Sequence, residues 1–129
     1  MVARRPGDDC AEVGEIIDLA SLLRFFGGIT VLAYAASKGG VMQTSKALAN
    51  QWARFHVNVN AVARGYILTE LTRPLFEDPI LSRQISERIP AGRWGSPEDP
   101  KGGGVFLASR ASDYVHGHVL VLDAGWMAR

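Results

Sequence analysis

Three short apolar runs, at 15–21, 57–63 and 118–123, alternate with two stretches of helical character, and that order most constrains the fold of this chain. The first run, Glu15-Ile16-Ile17-Asp18-Leu19-Ala20-Ser21, follows Gly14 and has the length and apolar density of a buried parallel strand. Beyond Tyr34, apolar residues recur at Val41, Leu48, Trp52 and Phe55, marking one face of a helix that runs to about Arg54. The run 57–63 alternates and is rich in valine, so a second strand is expected there, closed by Gly65. Ser96-Pro97-Glu98-Asp99 reads as an N-cap, a proline at the first helical position and acidic residues in the first turn, announcing a helix that ends between 106 and 109. The third strand is 118–123. Strand, helix, strand, helix, strand implies right-handed crossovers and an α/β fold with about three parallel strands flanked by helices.

Two segments fall outside this rhythm. Residues 1–13 have no clear period and carry Pro6, Gly7 and two aspartates, so they are expected to form a poorly ordered lead-in to a folded unit at 14–129. Residues 68–95 contain Pro74, Pro79 and Pro90 among broken helical signals and are expected to make an excursion over a site.

With 129 residues and 47% hydrophobic content the chain can bury one core, and its 14 basic and 13 acidic side chains are dispersed along it. That balance leaves no footprint for nucleic acid or an anionic membrane surface. The apolar stretches at 29–36 and 119–122 are far shorter than the ~20 residues a bilayer-crossing helix needs. A lone Cys10 forms no internal disulfide, which fits a reducing cytoplasm. His116 and His118 share a strand face without a third ligand in sight, so no metal site is expected.

The candidate chemistry lies in Tyr34-Ala35-Ala36-Ser37-Lys38. Residues four apart on a helix project into shared space, and an ammonium beside a phenol favours the phenolate, so Tyr34 and Lys38 would make a general acid/base. The same spacing also occurs as an exposed helix pair with no chemistry. Ser21, thirteen positions before Tyr34, ends the first strand, where open α/β sheets place ligand contacts. Its hydroxyl would hold a substrate oxygen, or else bond local backbone.

Together Ser21, Tyr34 and Lys38 resemble the catalytic serine and Tyr-x-x-x-Lys motif of the short-chain dehydrogenase/reductase family. The segment from Asn58 to Thr69 resembles that family's Asn-x-Asn block and the loop after it, and residues 88–99, 105–109 and 122–126 follow its C-terminal blocks. Within the family, Ile89-Pro90-Ala91-Gly92-Arg93-Trp94-Gly95 and the Trp126-Met127-Ala128-Arg129 ending look most like sugar-acid dehydrogenases. The resemblance implies the C-terminal half of a doubly wound, Rossmann-like parallel sheet, NAD or NADP as cofactor, and hydride exchange with a secondary alcohol or ketone such as 2-deoxy-D-gluconate. It implies Tyr34 as base in the oxidation direction, Lys38 as the group that favours the phenolate and holds the ribose hydroxyls, and Ser21 as the group that orients the substrate oxygen. It further implies Gly65, Ile67 and Thr69 as cofactor-binding residues, the Ile67 backbone and the threonine meeting the nicotinamide carboxamide, and a homo-oligomer built partly on the helix bearing Trp52 and Phe55.

The pattern also departs from that family. No Thr-Gly-x-x-x-Gly-x-Gly turn and no Asn-Asn-Ala-Gly strand occur in the chain, so the dinucleotide-binding half is absent. Dependence on that half, or survival as a non-catalytic fragment keeping the oligomerisation surface, are the two consequences. The first strand would then lie beside a missing neighbour. Gly102, Gly103 and Gly104 fall inside the penultimate helix, where each costs about 1 kcal/mol relative to alanine, and Pro100 crowds the same turn. Arg64 replaces a proline, Asp18 an asparagine and Ala124 a glycine; the last change is mild unless that backbone needs a positive φ.

Overall fold

The computed structural model describes residues 2–4, 14–22 and 32–128, with only the backbone of 2–4. Its elements are β1 (Val2–Arg4), β2 (Gly14–Ser21), α1 (Leu32–Trp52), β3 (Val57–Arg64), α2 (Arg73–Glu77), α3 (Pro79–Arg88), α4 (Lys101–Leu107) and β4 (Val119–Leu122). The sheet order is β1-β2-β3-β4. β2, β3 and β4 are parallel, as the alternating sequence predicts, while β1 pairs antiparallel with the start of β2. Part of the expected lead-in is therefore a short strand, with Ala3 opposite Glu15; residues 5–13 lie outside the described residues.

Strand β3 is the spine. Val57 to Arg64 lies between β2 and β4, and every residue from Asn58 to Ala63 is buried. It runs one residue beyond the predicted 57–63, because Arg64 keeps an N–H that proline would lack and pairs in register with both Ser21 and Leu122. The buried asparagines repay their desolvation with hydrogen bonds. Asn60 donates through Nδ2 to the Val115 carbonyl at 2.7 Å and accepts from the His118 N–H at 3.0 Å, fastening the loop before β4 to the spine.

Both sheet faces carry a helix, because side chains of a strand alternate between faces. Ile17 packs with Val62 and Leu107, which brings α4 to one face. Asp18, pointing the other way, accepts at 2.6 Å from the hydroxyl of Ser45, which brings α1 to the opposite face. That second face is lined by Ala20, Ala61 and Ala63, and α1 buries only Ser45 and Ala49. Small residues on both sides let the helix axis approach the sheet closely. Val41, Leu48 and Trp52 of the predicted face stand on the same side as Ser45, four, three and seven residues from it, and are half-buried, whereas Phe55 lies past the end of α1 and is 57% exposed.

The helix announced at Ser96 starts later than the sequence suggests. Residues 97–100 form a turn and α4 begins at Lys101. Pro100 has no N–H to offer the Ser96 carbonyl, so the first closure is the tighter Asp99 N–H to Ser96 carbonyl bond at 3.1 Å. Asp99 folds back as a reciprocal cap, accepting from the Ser96 N–H at 2.6 Å and its hydroxyl at 2.9 Å. Of the three glycines only Gly103 faces the sheet: a Cβ there would stand 2.5 Å from Leu122 Cδ1, whereas Gly102 and Gly104 have open space around them. Among the described residues no helix is long and apolar enough to cross a membrane.

Candidate active site

All six residues singled out from the sequence lie at or beyond the C-terminal ends of β2 and β3 or on the first turns of α1. Ser21 is the last residue of β2, half-buried and level with Arg64 of β3. Tyr34, 36% exposed, and Lys38 follow each other on α1, with the Lys38 ammonium 5.7 Å from the centroid of the Tyr34 ring. The Ser37 hydroxyl donates to the Tyr34 carbonyl at 2.7 Å, turning inward on its own helix. Lys38 has a second engagement that sequence reasoning missed: its Nζ donates to the Leu19 carbonyl at 2.9 Å, tying α1 to β2.

Gly65 follows β3. An added Cβ would meet the Asp123 Cα at 2.8 Å, and the Gly65 N–H donates to the Leu122 carbonyl at 2.9 Å. The glycine is thus demanded by the close passage of two chain segments, with or without a ligand. After it the chain leaves the sheet, and the excursion closes on itself at a clasp. Ile67 and Gly95 form a parallel bridge, with the Leu68 N–H on the Gly95 carbonyl and the Gly95 N–H on the Tyr66 carbonyl, both at 2.8 Å. Inside the clasp the excursion is not irregular but holds α2 and α3. Asp78 caps α3 by accepting from the Ile80 and Leu81 N–H groups at 2.9 Å.

Thr69 is organised by a residue that the motif did not flag. The Thr72 hydroxyl accepts from the Thr69 N–H at 2.9 Å and donates its single proton to the Ile67 carbonyl at 2.6 Å. In the 3.2 Å contact between the two hydroxyls Thr69 is therefore the donor, which leaves lone pairs on Thr69 Oγ1 to accept an N–H from outside. Two threonines three apart beyond a strand end were the available signal, since such hydroxyls fold turns onto their own backbone.

An aromatic floor supports the excursion. The Tyr66 ring stands 5.4 Å from Trp94, edge-on, and 4.7 Å from Trp126, while Phe76 of α2 meets Trp94 at 5.4 Å. Leu22, just past Ser21, is buried among Ile89, Trp94 and Trp126, so the strand bearing the serine and the arm bearing α3 share one core. Burial pushes the Tyr66 phenol above its ordinary value, an effect partly offset by the Arg88 guanidinium. Arg88 itself lies 4.4 Å above the Trp126 ring. Arg93 is occupied by Asp99, in a two-pronged ion pair at 2.9 and 2.8 Å. A cleft of about 240 Å³ opens between the ends of β3 and β4, lined by Gly65, Ile67, Asp123 and Ala124 among others; Ser21, Tyr34 and Lys38 do not line it.

A parallel sheet covered on both faces, with a tyrosine and lysine one turn apart on the helix that crosses over from a strand ending in serine, is the architecture of one half of a short-chain dehydrogenase/reductase. The chain belongs to that family: a family model described as enoyl-(acyl carrier protein) reductase matches residues 2–127. Several of the relatives it resembles are named for sugar acids. It is 55% identical over 129 residues to the 2-dehydro-3-deoxy-D-gluconate 5-dehydrogenase of Pseudoalteromonas atlantica, covering 100% of this chain and 48% of the relative. It is 53% identical over 116 residues to the enzyme of the same name from Dickeya dadantii, covering 90% and 46%. Among solved structures, a gluconate 5-dehydrogenase from Burkholderia cenocepacia in complex with NADP and tartrate superposes with a TM-score of 0.88 at 39% identity, covering 91% of this chain and 46% of that one. An Agrobacterium tumefaciens protein with bound NADP does so with a TM-score of 0.89 at 53% identity, covering 91% and 48%. The chain thus spans about half the length of the relatives it matches.

Proposed function

We propose that this chain carries the proton-transfer and nicotinamide-facing half of an NAD(P)-dependent dehydrogenase acting on a sugar acid. The single observation that carries this reading is the Tyr34 and Lys38 pair on α1, with the ammonium 5.7 Å from the ring, beside the strand that ends in Ser21. The relatives' names support a 2-keto-3-deoxy-gluconate or gluconate-like substrate oxidised at a secondary carbinol, and the neighbours with bound NADP support a nicotinamide dinucleotide.

The described residues fit the nicotinamide end of such a cofactor. Thr69 Oγ1 has acceptor capacity left over after its bond to Thr72, which suits a carboxamide NH₂, and the Lys38 ammonium suits vicinal ribose hydroxyls. When bound, the nicotinamide supplies the hydride acceptor or donor. The chain's residues do the rest. Ser21 holds the substrate oxygen by hydrogen bond as charge develops there. Tyr34 takes the hydroxyl proton during oxidation and returns it during reduction, with Lys38 one turn away on the same helix face. The aromatic floor of Tyr66, Trp94 and Trp126 holds the excursion over the strand ends.

Titrating the chain with NADPH and NADH and following nucleotide fluorescence tests the reading. Saturable binding that Lys38→Ala abolishes supports it; binding unaffected by Lys38→Ala and by Thr69→Val overturns it. A second reading, a non-catalytic fragment that self-associates, draws on Phe55, 57% exposed beside half-buried Trp52. Stable self-association without nucleotide binding would favour it.

A further inference from the structure

The clasp leaves one residue with its main chain turned outward. Gly95 spends its N–H on the Tyr66 carbonyl and its own carbonyl on the Leu68 N–H, so the N–H and carbonyl of Ile67 face away from it. The Ile67 carbonyl takes the Thr72 hydroxyl proton at 2.6 Å. The Ile67 N–H has no partner among the described residues, in a residue only 5% exposed, and buried main-chain donors are rarely left so. Thr72 stands at the N-cap of α2 yet makes no capping bond to that helix, where one of the two N–H groups a cap would serve is missing at Pro74. Its hydroxyl faces the loop instead and its capacity there is full. The proton goes to Ile67, and the lone pairs are taken by the Thr69 N–H at 2.9 Å and the Thr69 hydroxyl at 3.2 Å.

These bonds run in one direction. The Ile67 carbonyl can only accept, so it fixes the Thr72 proton; Thr72, its proton spent, can only accept, so it fixes the Thr69 proton; Thr69 Oγ1 is left to a ligand as an acceptor. We propose that Thr72 is a positioning residue that makes this loop discriminate. By setting the polarity of the two hydroxyls it presents the Ile67 N–H as donor and the Thr69 oxygen as acceptor. That pair takes an unsubstituted carboxamide, through its C=O and its NH₂, and disfavours a methyl ketone in its place. Without the Thr72 hydroxyl the Thr69 proton has no fixed acceptor and turns as readily to a ligand carbonyl, so the distinction is lost. The inference rests on the nicotinamide-facing role proposed above and adds to it the residue that enforces the pairing, acting through Ile67 and Thr69.

Calorimetric titration of this chain with NADP⁺ and with its acetylpyridine analogue, in which a methyl replaces the carboxamide NH₂, reads the preference. The parent chain is expected to bind NADP⁺ about fivefold more tightly than the analogue, the worth of one hydrogen bond, with Thr72→Ser keeping that ratio and Thr72→Val bringing it close to unity. A hydroxyl that only braced the fold would weaken both nucleotides together and leave the ratio standing. Amide exchange in the unliganded chain is the second readout: the Thr69 N–H should exchange about fivefold faster in Thr72→Val and at the parent rate in Thr72→Ser. A ratio that Thr72→Val leaves unchanged, a parent chain that binds the two nucleotides equally, or unchanged exchange at Thr69 overturns the inference and leaves the dehydrogenase reading. Failure of the parent chain to bind either nucleotide removes that reading and the inference with it.

Discussion

The His118 N–H donates to Asn60 Oδ1 at 3.0 Å, so a side chain buried in the central strand holds the residue that starts the approach to the last one. The same asparagine donates to the Val115 carbonyl at 2.7 Å. Asn60→Ala leaves a buried N–H and a carbonyl without their partner and should cost about 2–4 kcal/mol, with Asn60→Asp costing more at neutral pH because it sets a buried carboxylate oxygen against the Val115 carbonyl. Urea unfolding followed by circular dichroism measures both, and equal losses would refute the two-bond account.

Ala124 adopts φ +56°, in the left-handed region where a Cβ costs about 1–2 kcal/mol. Ala124→Gly should therefore raise stability by about 1 kcal/mol. Its neighbour Gly125 has φ +90°, and a Cβ there would stand 3.0 Å from Pro90, so Gly125→Ala should destabilise the chain by more than Ala124→Gly gains. Thermal unfolding of the two variants side by side reads the opposite signs.

Gly102 and Gly104 sit in α4 with nothing within 4 Å of an added Cβ. Each change to alanine should stabilise by up to about 1 kcal/mol, and together they should lengthen the lifetime of the helix in hydrogen exchange. Gly103→Ala pushes on Leu122 and should gain less than either or lose stability. Equal gains at all three positions would show that α4 does not pack on β4 through Gly103.

The bonds from Arg93, then from the Ser96 N–H and hydroxyl, hold the Asp99 carboxyl well below the usual carboxylate range. A depressed folded-state value means that its contribution is complete above the unfolded value near ~3.9 and drains away as pH falls below it. Asp99→Asn should flatten the acid limb of the stability profile between about pH 4 and pH 2, while leaving the limb above pH 7 unchanged. An unaltered acid limb would mean that the exposed pair contributes nothing net.

The parallel order of β2, β3 and β4 was legible because buried strands and amphipathic helices write different periods into a sequence, and the same periods placed Ser21 at a strand end and Tyr34 and Lys38 one turn apart on a helix. What the sequence hid was relational. The most deeply buried residues of α1 are Ser45 and Ala49, and small residues carry no apolar signal; Phe55, which does, lies past the helix end and is exposed. The late start of α4 turns on the missing N–H of Pro100, visible in the sequence yet outweighed by a persuasive cap at Ser96. Thr72 and the Leu19 carbonyl escaped notice because neither belongs to a motif: one is defined by what it props and the other by which side of a strand it faces.

The bridge of Ile67 to Gly95 closes the two ends of the arm between them on each other. Because its ends are stitched to each other, residues 68–94 can vary in length and lining where they face away from the sheet, whereas Ile89 and Trp94, buried with Leu22 and Trp126, and Ala91, bonded to the Ala124 carbonyl, tie the arm to what lies beneath. Diversification above the strand ends then falls on the outer side of the arm, and a transplanted arm has to bring inner residues that fit Leu22 and Trp126.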